Sequence, residues 1–111
     1  MKVKTSELSG KQLDWAVTRA NFEVNYETVW RDCREECNFS IDWAHGGPII
    51  ERECIEISCI HTTGWTPNTW TAQHPQRHRV SGPTPLIAAM RCYVVSKLGT
   101  EVEVPEMEEV K

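Results

Sequence analysis

Soft ligands and bases come in pairs along this chain. Cys33-x3-Cys37, Cys54-x4-Cys59 and His74-x3-His78 supply thiols and imidazoles at short spacing. Zinc takes four such groups in a tetrahedron, and structural sites gather them as close pairs. Cys33, Cys37, Cys54, His74 and His78 are therefore the candidate ligands. The spacings are looser than those of a paired C-x2-C array. Cys59 falls on the apolar side of a strand pattern and Cys92 inside an apolar helical one, where cysteine serves as a small core residue. Inert thiols are the stronger reading, and no metal or other cofactor is expected. A cysteine nucleophile would need a lowered pKa and a base beside it. His45, His61, His74 and His78 are available as bases. Arg31 and Arg34 favour a thiolate at Cys33 or Cys37, but Asp32, Glu35 and Glu36 oppose one. No catalytic residues can be named, so a small Cys/His-site enzyme or zinc-dependent regulator is a secondary reading.

"HPQRHR" places Arg77 and Arg79 in a short basic stretch that could meet a phosphate. The net charge of −4 over 111 residues argues against a protein that tracks a nucleic-acid backbone. A nucleic-acid-associated factor is the third reading. "GGP" lacks the G-x-x-x-x-G-K-[ST] frame of a phosphate loop. Five tryptophans, Trp15, Trp30, Trp43, Trp65 and Trp70, are many for this length. Tryptophan is enriched at contact surfaces because one ring covers much area at low entropic cost. In "DWAHGGPIIERE", Asp42 can accept a backbone N–H to close a turn. Gly46 and Gly47 free its path, and Pro48 can open a strand where no donor is needed. The turn requires neither Trp43 nor His45. Asp42, Trp43, His45, Gly46 and Gly47, with Trp65 in a loop, are expected to form an interaction surface.

The positioning elements follow from periodicity. Ser9 and Gln12 resemble a capping box, and Leu13, Ala16, Val17 and Ala20 make one apolar face of a helix over Gly10–Ala20. Trp15 lies off that stripe and widens the buried face or meets another element. Phe22 to Trp30 alternates as a strand does, and "RDCREEC" reads as an exposed connection. Ile49–Ile60 is the best strand candidate, with Ile55, Ile57 and Cys59 on one side and Glu56 and Ser58 on the other. Asn68–Gln73 reads as its partner, with "HTTGWTPN" as the connection and "HPQRHRVSGP" as a loop. Thr84 suits the N-cap and Pro85 the first position of a helix over Pro85–Leu98, with Lys97 in its last turn and Gly99 at its end. That helix is apolar on nearly every side, so either the domain sandwiches it or a second copy covers it as a homodimer. "TEVEVPEMEEVK" is acidic and interrupted by Pro105. A flexible tail over 101–111 is expected after one globular domain over 1–100. Val102 and Val104 could add a short edge strand.

Five cysteines cannot all pair within one chain, and "MKVKTSELSG" has no apolar run of a leader, so reduced thiols in a cytoplasm are expected. No apolar run is long enough to span a membrane.

"DWAHGGPIIERE", "GPTPLIAAMRCYVVSKLG" and "KTSELSGKQLDWAV" together closely resemble the NinX-like family, small proteins of tailed bacteriophages and prophages of enteric bacteria. Where the family pattern reads Ser-Thr-Asp-Trp-Ala-Gln-Gly-Gly, this chain has Ile41 for the threonine and His45 for the glutamine. The resemblance implies a phage accessory protein in the cytoplasm of the infected bacterial host, and it supplies no catalytic residues. The expectation is an α+β fold: an amino-terminal helix, a small mostly antiparallel sheet, and an apolar carboxy-terminal helix packed on that sheet. The expected function is a non-enzymatic protein-interaction module for an unknown host or phage protein.

Overall fold

The computed structural model describes residues 2–21, 38–60, 69–75 and 79–104. Within them the fold is α+β, with three α-helices and two antiparallel sheets. Strand β1 (Lys2–Lys4) leads through a 3-10 turn at Thr5–Glu7 into helix α1 (Gly10–Asn21). Helix α2 (Trp43–Glu53) precedes strands β2 (Glu56–Ile60), β3 (Thr69–Gln73) and β4 (Arg79–Gly82). Helix α3 (Pro85–Leu98) and strand β5 (Glu101–Glu103) close the described chain.

Helix α3 matches its expected span and is the centre of the molecule. The Thr84 hydroxyl accepts the Ile87 N–H at 3.1 Å, and Gly99, at φ 91°, donates its N–H to the Val95 carbonyl. Leu86, Ala88, Ala89, Met90, Cys92, Tyr93 and Val94 are buried. The sheet β2-β3-β4 covers one side of the helix, and α1 and α2 cover another. Most of its apolar circumference is thus covered within the chain. Of its polar exceptions, Arg91, Ser96 and Lys97, Arg91 is a staple: Nε donates to the Leu8 carbonyl at 2.7 Å and Nη1 to the Ser81 carbonyl at 3.0 Å.

In α1 the expected stripe of Leu13, Ala16, Val17 and Ala20 is buried, and Trp15 does widen it. The pairing of β2 with β3 is antiparallel, with Ile57 opposite Ala72 and Cys59 opposite Trp70.

Three expectations are corrected. The segment Trp43–Glu53 is a helix, not a turn into a strand, so the strand begins only at Glu56. Asp42 acts as its N-cap, Oδ1 accepting the Ala44 N–H at 2.9 Å. The glycines fall in the first turns. Pro48 leaves the Ala44 carbonyl without its helical donor, but both residues are exposed, so water can satisfy that carbonyl. The helix ends in a Schellman arrangement: Cys54 N–H reaches Glu51 O, Ile55 N–H reaches Ile50 O, and Cys54 itself sits at φ 55°. Secondly, Arg79–Gly82, expected in a loop, adds β4 to the sheet through pairs such as Ala72 with Val80. Gly82 allows it, because a Cβ there would lie 2.8 Å from the Ala88 nitrogen. Thirdly, residues 101–104 are not a loose tail. β5 pairs with β1, Val3 opposite Val102, and Val102 and Val104 are buried in the core. The expected strand at 22–30, the connection at 31–37 and residues 105–111 lie outside the described residues.

Candidate functional site

Helices α2 and α3 start side by side, and an apolar groove of about 270 Å³ lies between their first turns. Ser40, Ile41 and Trp43 line one wall, and Thr84, Pro85, Leu86 and Ile87 the other. The lip is apolar and open to water: Ile41 is 75% and Trp43 52% exposed. The groove falls just under the ~300–1,000 Å³ of typical small-molecule pockets, a size for one or two side chains.

Gly46 sets how closely the two helices approach. A Cβ on it would come within 2.6 Å of Leu86 Cδ1 and 2.7 Å of the Phe39 carbonyl oxygen. Gly47 has open space around it instead. It precedes Pro48, and a residue with a Cβ before proline is disfavoured in helical geometry. His45 turns away from the groove. Its Nδ1 accepts the Asn38 N–H at 3.3 Å and lies 3.9 Å from Asp42 Oδ2, and its ring meets Phe39 edge-on. The expected surface residues Asp42, Trp43, His45, Gly46 and Gly47 are therefore brought together in three roles. Trp43 faces the groove, Asp42 and His45 hold the turn before it, and Gly46 makes room. Trp65 lies outside the described residues.

Sequence reasoning missed Asp14. It sits in α1 with 2% exposure, and its Oδ1 accepts the Ser40 N–H at 2.9 Å. Burial pushes its carboxyl above the usual range. The Ser40 hydrogen bonding and the charges of Lys11 and His45 counter that only in part. The available signal was a carboxylate set between the stripe residues Leu13 and Ala16 rather than opposite them. The groove wall at Pro85–Ile87 was also missed, because apolar residues opening an apolar helix read as core.

Of the candidate metal ligands, Cys54 and His74 are among the described residues. Cys33, Cys37 and His78 lie outside the described residues. Cys54 is exposed at the end of α2. His74 Nε2 lies 3.5 Å from Glu53 Oε1, in a cluster completed by Arg52 and by Lys97 at 3.8 Å. Desolvation opposes ionisation of Glu53, but the Arg52 hydrogen bond and the nearby cationic charge outweigh it and hold the carboxyl below its usual range. Cys92 is fully buried, and burial pushes its thiol up despite the His74 backbone contact. Among the described residues no group of three or more His, Cys, Asp and Glu is placed to hold a metal ion. Arg79, the described half of the basic stretch, donates to Thr71 Oγ1 at 2.9 Å and Gln73 Oε1 at 3.0 Å. Among the described residues no helix is long and apolar enough to cross a membrane.

These elements define a small α+β protein with an open apolar groove between two helix starts. Residues 4–97 match the family described as Bacteriophage P22, NinX, and the chain belongs to that family of phage accessory proteins. None of the curated proteins matches the chain.

Proposed function

We propose that this phage accessory protein is a non-enzymatic interaction module that binds a host or phage protein through the groove and its Ile41–Trp43 lip, in the cytoplasm of the infected bacterium. The observation that carries the reading is the exposure of two large apolar side chains at the mouth of an apolar groove. Among the described residues Ile41 and Trp43 are the exposed large hydrophobics, so this surface is concentrated rather than scattered. The lip presents on the order of 300 Å² of apolar surface, well under the ~800 Å² each partner contributes to a stable dimer. A short apolar segment, with one bulky side chain seated between the helix starts, suits that scale.

The test is capture from phage-infected cells with the wild-type chain and with an Ile41→Ser, Trp43→Ser double variant. Any recovered protein is then titrated against both forms in purified state. The expected result is saturable binding to wild type and loss of it in the variant, with unchanged circular dichroism. Equal binding by both forms would reject the surface.

A further inference from the structure

The stretch Asn38–Asp42 that leads into α2 shows its apolar side chain to water while its backbone is tied at nearly every amide. Asn38 N–H donates to His45 Nδ1, and Ser40 N–H donates to Asp14 Oδ1. The amides of Ile41 and Asp42 both donate to the Asn38 carbonyl, at 3.2 and 2.8 Å. Lys11 Nζ adds a bond to Asn38 Oδ1 at 3.1 Å. A loop free to move would fold an exposed isoleucine back against its apolar neighbours. Here the backbone is fastened, and Ile41 stays out.

Two of these fastenings come from α1, one turn apart: Lys11 and Asp14. That of Lys11 is exposed and that of Asp14 is buried. A carboxylate accepting a backbone N–H makes a charge-assisted bond, about twice as strong as a neutral one. Burying that charge is costly, and among the described residues the cation paired with it, Lys11 Nζ, stands 3.9 Å from Oδ2. A neutral acceptor would hold the same amide at lower cost. Asp14 thus buys rigidity of the loop at the expense of stability.

We propose that Asp14 is a positioning residue for the apolar lip: from α1 it fixes the Ser40 amide, and through it holds Ile41 and Trp43 in the arrangement a partner meets. The inference rests on reading the lip as a docking surface. Among the described residues, the charged and titratable groups facing Asp14 are Lys11 on its own helix and His45 on α2, with Asp42 bearing on His45.

The test is nuclear magnetic resonance on the full chain and two variants. Asp14→Asn keeps an acceptor of the same shape without the charge, and Asp14→Ala removes the hold. In a pH titration of wild type, the Ser40 amide, an Ile41 methyl and the Trp43 indole N–H should shift together. Their midpoint should lie above the ordinary aspartate range, and the transition should vanish in Asp14→Asn but survive in His45→Asn. In Asp14→Ala the Ser40 amide should exchange about tenfold faster or more, since one strong hydrogen bond is lost. The Ile41 and Trp43 signals should move while those of Met90 and Ala88 stay, and Asp14→Asn should restore them. Ile41 and Trp43 signals indifferent to Asp14, in either experiment, would overturn the proposal. Should Asp14→Ala fail to fold, the titration of wild type against Asp14→Asn decides alone. Partner binding separates the two readings. Lip signals that follow Asp14 with no binding at the lip would discard the docking surface and leave the positioning role standing. Binding lost with Ile41 and Trp43 but unaffected by Asp14→Ala would discard the positioning role.

Discussion

Helices α2 and α3 start together at the groove and finish together at an ion cluster, and the two ends are built on opposite terms. At the finishing end the polar groups meet one another. Arg52 reaches Glu53, Asn21 and the Tyr93 hydroxyl, while His74 and Lys97 close on Glu53. The Tyr93 hydroxyl in turn donates to the Ala20 carbonyl. At the starting end an isoleucine and a tryptophan stand in water, and a carboxylate lies buried with one cation 3.9 Å away. One end is arranged for stability. The other keeps features that stability alone would remove, as the proposed docking surface requires.

The tightest contact at the starting end is at Gly46. Gly46→Ala should cost about 2 kcal/mol, because the added methyl meets a backbone oxygen that cannot swing aside. Urea unfolding measures it. Gly47→Ala, one residue on, should change stability by less than about 0.5 kcal/mol, since the helix propensity it gains is offset by the following proline. At the finishing end, Tyr93→Phe should cost about 1–2 kcal/mol by leaving the Ala20 carbonyl and an Arg52 N–H short of a partner. Equal losses from Gly46→Ala in the presence and absence of the Leu86 side chain (Leu86→Ala) would locate its strain at Phe39 rather than α3. Cys54→Gly should raise stability by about 1 kcal/mol, because glycine takes the left-handed end of α2 without strain.

The two carboxylates should tilt the pH profile of stability in opposite senses. Glu53 is depressed on folding, so its contribution is present above its unfolded value near 4.5 and is lost as pH falls through the lower folded one. Asp14 is raised, so its contribution is greatest below its unfolded value near 3.8 and is lost as pH rises through the higher folded one. Glu53→Gln should flatten the acid limb, and Asp14→Asn should remove the decline on the other side. Denaturant midpoints between pH 3 and 7 compare them (an experimental range set by the shifts of both groups). The smallest effect on stability should come from Ile41→Ser, within about 0.5 kcal/mol for an exposed side chain. A large loss there would mean the lip is part of the core after all.

Local rules account for what was legible beforehand. Helix α3 was readable to its ends because cap, proline, periodicity and terminal glycine all agree. α1 and the β2–β3 pair likewise follow from patterns a few residues long. α2 was not readable. Its glycines and proline are turn residues, and only the cap at Asp42, the burial of Ile49 and the close seat of Gly46 against Leu86 make the helix worthwhile. The seat of Gly46 against Leu86 joins residues forty positions apart, which periodicity does not see. A short edge strand at Val102 and Val104 was legible from alternation, but its mate β1 and the burial of both valines were not, because β1 lies at the other end of the described chain. Of the surface, Trp43 was legible from its type. Ile41 and Asp14 were not, because their roles depend on a turn and a helix meeting in space.

The pairing of β1 with β5 also fixes the order in which the fold can be finished. Val3 precedes nearly all of the described chain, yet it faces Val102 in strand β5, the last described element to be translated. A ribosome that has not yet released Glu101–Val104 holds a chain in which β1 lacks the strand it pairs with among the described residues. The β1–β5 pair therefore waits for residues 101–104, and a frameshift or early stop after Gly99 would leave Val3 without Val102 across from it.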